Sequence, residues 1–265
     1  MSVNEPESWD LVADSYARVV AHQLEPIAAD ALRLAEVTGD DRVLDVATGP
    51  GTLALLAGKV TRVVATDFSA GMVEQVRARA DAAGLATVEA QVADGQALPF
   101  EDGAFDAAFS MFGLFIFPER ARGFAELFRV LRPGGRAVVS SWSTPPPDHA
   151  FTIANGLFAE HATDAPGGGD GPPLATAEAL EEEMSEAGFT VTVERSSHAM
   201  TFPSTEALWR DLRASHVGFA LLTKTLPPAE LEKLNATLHE RLVGSLGEGP
   251  QEVALEAWLG LGRKG

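Results

Sequence analysis

The sequence predicts an α/β fold, a doubly wound, mostly parallel seven-stranded sheet with a helical cap inserted late in the chain. Three observations carry this. Short β-branched runs alternate with helical patterns through residues 42–142. The first of those runs leads directly into a glycine loop, Gly49-Pro50-Gly51. Two further strand-like runs lie on either side of a helical region near the C-terminal end. Strict strand–helix alternation implies right-handed crossovers, and so parallel neighbours.

Each element has its own signal. Trp9, Val12, Tyr16, Val19 and Val20 fall near helical spacing and predict a helix over 9–24. RVLDVA (42–47) is the first strand and TLALLAGK (52–59) the helix that follows it. RVVATD (62–67) is the second strand, and Met72, Val73, Val76, Ala80 and Ala83 mark the next helix. VEAQVAD (88–94) and FDAAFSMF (105–112) are strands three and four. Phe124, Leu127, Phe128 and Leu131 sit at i, i+3, i+4 and i+7 of a helix that RPGG (132–135) should stop, ahead of a fifth strand RAVVSSW (136–142). STPPPDH (143–149) and DAPGGGDGPP (164–173) read as loops around a helix at 150–161. Ala177, Leu180, Met184 and Ala187 make a helix ended by Gly188, and FTVTVER (189–195) alternates as a strand. Residues 204–245 are helical in pattern, with a break at 225–230 where Pro228 suits a first turn. The stretch 252–264 reads as a final strand in its second half.

Composition narrows the function. The chain has 265 residues, no Cys, and 38 acidic against 20 basic side chains, a formal charge of −18. That length can bury a full core without disulfides or a structural metal. The lack of Cys excludes a disulfide scaffold, a thiolate nucleophile and any thiolate metal site, and no metal is expected. The negative charge argues against nucleic-acid or anionic-membrane partners, which demand clustered Lys and Arg. The opening MSVNEPESWDLV has neither the charge nor the apolar run of a secretory signal, and no apolar stretch approaches a membrane span, so a cytoplasmic location is expected. The acid-rich EALEEEMSE (178–186) reads as a solvated helix face.

The sharpest chemical feature is VLDVATGPGTLAL (43–55). Glycines between a strand and a helix let the backbone turn sharply and approach a ligand. The helix start adds free N–H groups and partial positive charge. Gly49-x-Gly51-x-x-Ala54 also fits a dinucleotide pattern, but Asp45, inside the first strand, disfavours a pyrophosphate there. Asp67 ends strand two, where an acid can accept hydrogen bonds from a ribose diol. Asp94 ends strand three, within reach of an adenine amino group. Three acids at successive strand tips suit a nucleoside with a positive centre better than one with phosphates.

VLDVATGPG (43–51), ATDFSAGM (65–72), VADGQALPFEDGAFDAAFSMFGLFIF (92–117) and RVLRPGGRAVVSSW (129–142) together resemble the motifs of class I S-adenosylmethionine-dependent methyltransferases. The closest flavour is the type seen in quinone biosynthesis and natural-product tailoring. The resemblance covers roughly residues 9–142, with a weaker echo in 183–195, and implies a Rossmann-like sheet. It implies that Asp45, Ala47, Gly49 and Gly51 shape the loop around the methionine half of the cofactor. Asp67 would take the ribose hydroxyls, with Phe68 beside the adenine and Met72 on its face. Asp94 would take the adenine amino group, with Gly95 and Gln96 nearby, while Ser110 and Met111 would touch the methionine moiety. Tyr16 sits where an N-terminal helix would close over the cofactor. Ala47-Thr48 departs from the polar residue often found in the loop, which leaves the amino-group contact to backbone carbonyls.

The resemblance further implies an in-line methyl transfer in which the protein aligns nucleophile, methyl carbon and sulfur and keeps water out. Trp9, Tyr16, Phe112, Phe115, Phe117 and Trp142 are expected at or near the rim, where aromatic faces favour a cation. His149 and His216 are the candidate bases for a protic acceptor. The implied organisation is N-terminal helices over the cofactor (1–40), a cofactor core (41–142), a substrate cap (143–174 and 203–245) and completion of the sheet (175–202 and 246–265). The expected activity is transfer of a methyl group from S-adenosylmethionine, leaving S-adenosylhomocysteine, to an O, N or C atom of a small, largely apolar molecule, by a monomer or homodimer. The alternatives are a non-catalytic S-adenosylmethionine-binding module with a regulatory role, and an NAD-linked oxidoreductase.

Overall fold

The structure, a computed structural model, describes residues 2–160 and 173–265. Its first three helices are α1 (Pro6–Asp10), α2 (Ala13–Val19) and α3 (Glu25–Leu34). The single helix expected over 9–24 is therefore two: Pro6 sets the first turn of α1, and the chain breaks at Leu11 before burying Val12. The core then runs β1 (Arg42–Val46), α4 (Thr52–Ala57), β2 (Arg62–Asp67), α5 (Ala70–Ala83), β3 (Val88–Val92), β4 (Phe105–Met111), a 3-10 turn at Leu114–Ile116, α6 (Arg120–Val130) and β5 (Leu131–Trp142). The remainder is α7 (Ala150–Ala159), α8 (Ala177–Glu186), β6 (Thr190–Phe202), α9 (Thr205–Ser215), α10 (Val217–Thr225), α11 (Pro228–Leu246) and β7 (Gln251–Arg263). The loop expected at 164–173 lies outside the described residues except for Pro173, as does His161.

The sheet has seven strands in the order β3-β2-β1-β4-β5-β7-β6. Pairing is parallel from β3 through β5, and β7 alone runs antiparallel, between β5 and β6. The order reverses at β1, whose carboxyl end opens beside those of β2 and β4; such a switch point leaves a crevice for ligands. Successive residues of β1 serve opposite faces. Val43 joins the apolar layer under α3 and α4, while Leu44 joins Phe105, Phe124 and Leu127 on the other side.

Three elements depart from expectation. The helix ahead of RPGG ends at Val130, and Leu131 already pairs with Phe105; the register then slips across Pro133–Gly135 and resumes at Ala107↔Arg136. The strand expected at 189–195 runs on to Phe202, and the last strand begins at Gln251 rather than midway. Both extensions have one cause: β6 and β7 pair with each other along their whole lengths, from Thr190↔Arg263 to Phe202↔Gln251. Helices α9–α11 form the insert between those strands, as expected. Trp209, Phe219 and Leu238 of the insert are buried in the same layer as Ile27 and Leu53. Val217 and Ala220 of α10, with Trp9 and Tyr16, pack on the cluster of Val12, Ala13 and Met72. Among the described residues no helix is long and apolar enough to cross a membrane.

Candidate functional site

The switch-point crevice is a cavity of about 400 Å³, within the range of small-molecule sites. Its floor is the turn after β1. Ala47 (φ +54°) and Gly49 (φ +55°) are both left-handed, and Gly51 (φ +84°) opens α4. A Cβ on Gly49 would meet nothing within 4 Å, so the backbone presents an open face at the cavity wall. Ala47 and Phe112 (φ +58°) hold a conformation that non-glycine residues seldom adopt, and both line the cavity; strain of this kind persists only where the surroundings enforce it. For Phe112 the enforcement is visible. Its N–H donates to the buried Ser140 Oγ at 2.9 Å, and its ring stacks on Trp142 at 3.9 Å between centroids.

The acids converge. Asp45 is buried, with Thr48 Oγ1 donating to its Oδ2 at 2.6 Å and its Oδ1 left without a partner. Burial pushes the Asp45 carboxyl up to about 7, and the Asp67 charge adds to this. Thr48 thus has a side-chain role, orienting Asp45. Asp67 accepts from Gly49 N at 2.8 Å and Ser69 N at 3.0 Å. Its carboxyl is nevertheless pushed up to about 6, chiefly by burial, with Asp10's charge also raising it. Burial, with Asp67 close by, lifts the Tyr16 phenol to about 12, so it stays protonated as a donor. Asp94 is exposed, and its Oδ1 accepts from Gln96 N at 2.8 Å and Gln96 Nε2 at 3.1 Å.

Among the described residues the lining contains no Lys, Arg or His. A pyrophosphate would meet Asp45 and Asp67 there with no cation to offset them. A nucleoside bearing positive charge fits: two buried carboxylates, Asp45 and Asp67, lie at the wall, and much of the rest of it, including Trp9, Leu53, Met111, Phe112 and Phe117, is apolar.

Tyr16, Asp45, Ala47, Gly49, Asp67, Phe68, Met72, Asp94, Gly95, Gln96 and Met111 all line this one cavity. Gly51 and Ser110 do not. Gly51 turns the chain into α4, with Val76 only 3.1 Å from where a Cβ would sit. Ser110 is fully buried, its hydroxyl unpartnered. Of the aromatics expected at the rim, Trp9, Tyr16, Phe112 and Phe117 line the cavity, beside Phe68; Phe115 packs in the core and Trp142 backs Phe112.

The two candidate bases are misplaced. His149 caps α7 and its Nε2 lies 3.0 Å from the Ala254 carbonyl oxygen. His216 caps α10, its Nε2 is 2.9 Å from Asn155 Oδ1, and its ring packs on Phe158. Desolvation holds His216 down to about 4. Neither lines the cavity. Nor does any described residue of 143–174 or 203–245, so the described part of the expected cap contributes no wall; α10 packs beside the N-terminal helices. Walls that sequence reasoning did not name include Val3, Asn4, Pro6, Leu24, Ala28 and Pro118, and, within the quoted motifs, Pro50, Thr52, Leu53, Ala93, Gly113 and Ile116. Outside those motifs only Pro6, with its preference for a helix start, left a local signal.

Residues 43–135 match a family described as a methyltransferase domain. A demethylmenaquinone methyltransferase of Clavibacter sepedonicus is 49% identical over 114 residues, 43% of this chain and 45% of that protein. One from Thermus thermophilus is 40% identical over 141 residues, 52% of this chain and 63% of that protein. The chain thus spans about half the length of the curated relatives it matches. Among solved structures, the [4+2]-cyclase SpnF shares the fold at a TM-score of 0.64 and 21% identity, covering 97% of this chain and 94% of that one.

Proposed function

We propose that this chain, whose residues 43–135 match a methyltransferase domain family, transfers a methyl group from S-adenosylmethionine to a nucleophilic atom of a small, largely apolar molecule. The carrying observation is the buried acid pair Asp45 and Asp67 beside the open Gly49 backbone, in a cavity whose described lining holds no basic side chain. The demethylmenaquinone methyltransferase relatives support a small-molecule acceptor over a nucleic acid, as does the net charge of −18. The reading takes a cytoplasmic monomer or homodimer.

Asp67 and Asp94 would accept hydrogen bonds from the ribose diol and the adenine amino group. Phe68 and Met72 would flank the adenine, and the buried Asp45 carboxylate would lie towards the amino-acid end. When bound, S-adenosylmethionine supplies a methyl group already made electrophilic by its sulfonium. The chain's remaining task is to align the acceptor and exclude water, and Trp9, Met111, Phe112, Ile116 and Phe117 give the apolar walls for that. No base role is assigned to His149 or His216. Among the described lining residues the ionisable side chains are Tyr16, Asp45, Asp67 and Asp94, so a base for a protic acceptor would have to be one of these carboxylates or the solvent. The test incubates the chain with methyl-labelled S-adenosylmethionine and a panel of apolar phenols, quinols and amines. Transfer of label is expected. Tight cofactor binding with no transfer to any acceptor would replace this reading with the non-catalytic binding module.

A further inference from the structure

Asp10 closes α1, is exposed, and does not line the cavity. Its Oδ1 nevertheless accepts two hydrogen bonds from the start of α5, from Ser69 Oγ at 2.6 Å and Gly71 N at 2.8 Å. Ser69 is a junction. Its N–H donates to Asp67, and its Oγ also accepts from Met72 N at 3.0 Å, so one buried residue touches Asp10 and two walls of the cavity. Gly71 is shaped for the contact: a Cβ there would lie 3.0 Å from Asp10 Oδ1 and 3.2 Å from its Cα. The segment before Asp10 is tied to itself, with Trp9 Nε1 donating to Val3 O at 2.8 Å and Ser8 Oγ to Ser2 O at 2.7 Å. Val3, Asn4, Pro6 and Trp9 of that segment are cavity wall. A carboxylate at this position also meets the partial positive charge of a 14-residue helix.

We propose that Asp10 is a positioning residue: it latches residues 2–10 over the nucleoside cavity through Ser69 and Gly71, and so governs how fast a bound nucleoside leaves. The effect on release rests on the function proposed above; the latch itself does not.

The test compares the wild-type chain with Asp10→Ala, Asp10→Asn and Gly71→Ala. Hydrogen exchange of the amides of residues 3–9 is read without ligand, and S-adenosylhomocysteine release is read by stopped-flow tryptophan fluorescence. Asp10→Ala should speed both exchange and release, release by roughly tenfold for the loss of a charge-assisted pair. Asp10→Asn, whose amide oxygen still accepts but without the charge, should fall between wild type and Asp10→Ala. Gly71→Ala, whose Cβ would crowd Asp10 and Ala13, should speed both exchange and release. Wild-type exchange in Asp10→Ala overturns the latch. So does Asp10→Asn behaving as Asp10→Ala, or Gly71→Ala releasing at the wild-type rate. If wild-type protein binds no S-adenosylhomocysteine, the proposed function fails, and the exchange measurement still decides the latch.

Discussion

At the scale of single residues, the site is a set of carboxylates held against their preference. Asp45 and Asp67 are pushed up to about 7 and about 6 by burial. A carboxyl whose pKa is raised on folding binds more protons in the native state than in the unfolded one. Its contribution is complete below about pH 4, the unfolded value, and is lost as pH rises through 6 to 7. Thermal melts of Asp45→Asn should therefore show a smaller loss of stability between pH 5 and pH 8 than wild type, by about 2–4 kcal/mol at pH 8. An unchanged pH slope would show that Asp45 ionises freely. A cationic ligand should bind more tightly as these acids ionise, so affinity for S-adenosylmethionine should rise from pH 5.5 to 7.5. The acids were legible because their strand-end positions follow from the alternation and the glycine loop. Asp10 was not, since its partners lie 59 and 61 positions away. The histidines misled for the same reason. Sequence places His149 just after the fifth strand, but a backbone oxygen of β7 holds its ring.

At the scale of elements, the wall formed after β4 depends on β5. The Phe112 N–H has the buried Ser140 hydroxyl as its acceptor, and the left-handed turn it stabilises carries Phe112 and Gly113 to the cavity. Ser140→Ala leaves that N–H unsatisfied and should cost about 1–3 kcal/mol in urea unfolding, with a weaker grip on the nucleoside. Stability within a few tenths of a kcal/mol of wild type would mean that the Trp142 stack alone fixes the turn. The insert teaches a related lesson. Its helices were legible from periodicity, yet their place was not, because packing of Val217 and Ala220 on the cluster of Val12, Ala13 and Met72 is a tertiary choice. The long β6–β7 pairing was likewise hidden. Ser196, Ser197 and His198 are weak strand formers, kept extended because β7 pairs with them across the ladder.

At the scale of the whole molecule, two properties dominate. The parallel part of the sheet, read from the alternation, puts every cavity acid at one edge of one sheet; that β7 runs antiparallel was not legible. The net charge of −18 makes the folded state repel itself. Raising ionic strength from about 0.01 M to 0.15 M shortens the screening length from about 30 Å to 8 Å and should raise the melting temperature. A falling melting temperature would mean that ion pairs such as Arg129 with Glu126 and Asp102 outweigh the excess charge. Fold alone does not choose the reaction, since a [4+2]-cyclase shares this one. The central claim is that the acid-tipped cavity grips an adenosyl sulfur compound. Calorimetric titration of the full chain with S-adenosylhomocysteine tests it most directly, alongside folded Asp67→Ala. The account predicts one-to-one binding that weakens at least about tenfold in Asp67→Ala. Folded wild-type protein that takes up none, or an Asp67→Ala variant with undiminished affinity, would contradict it.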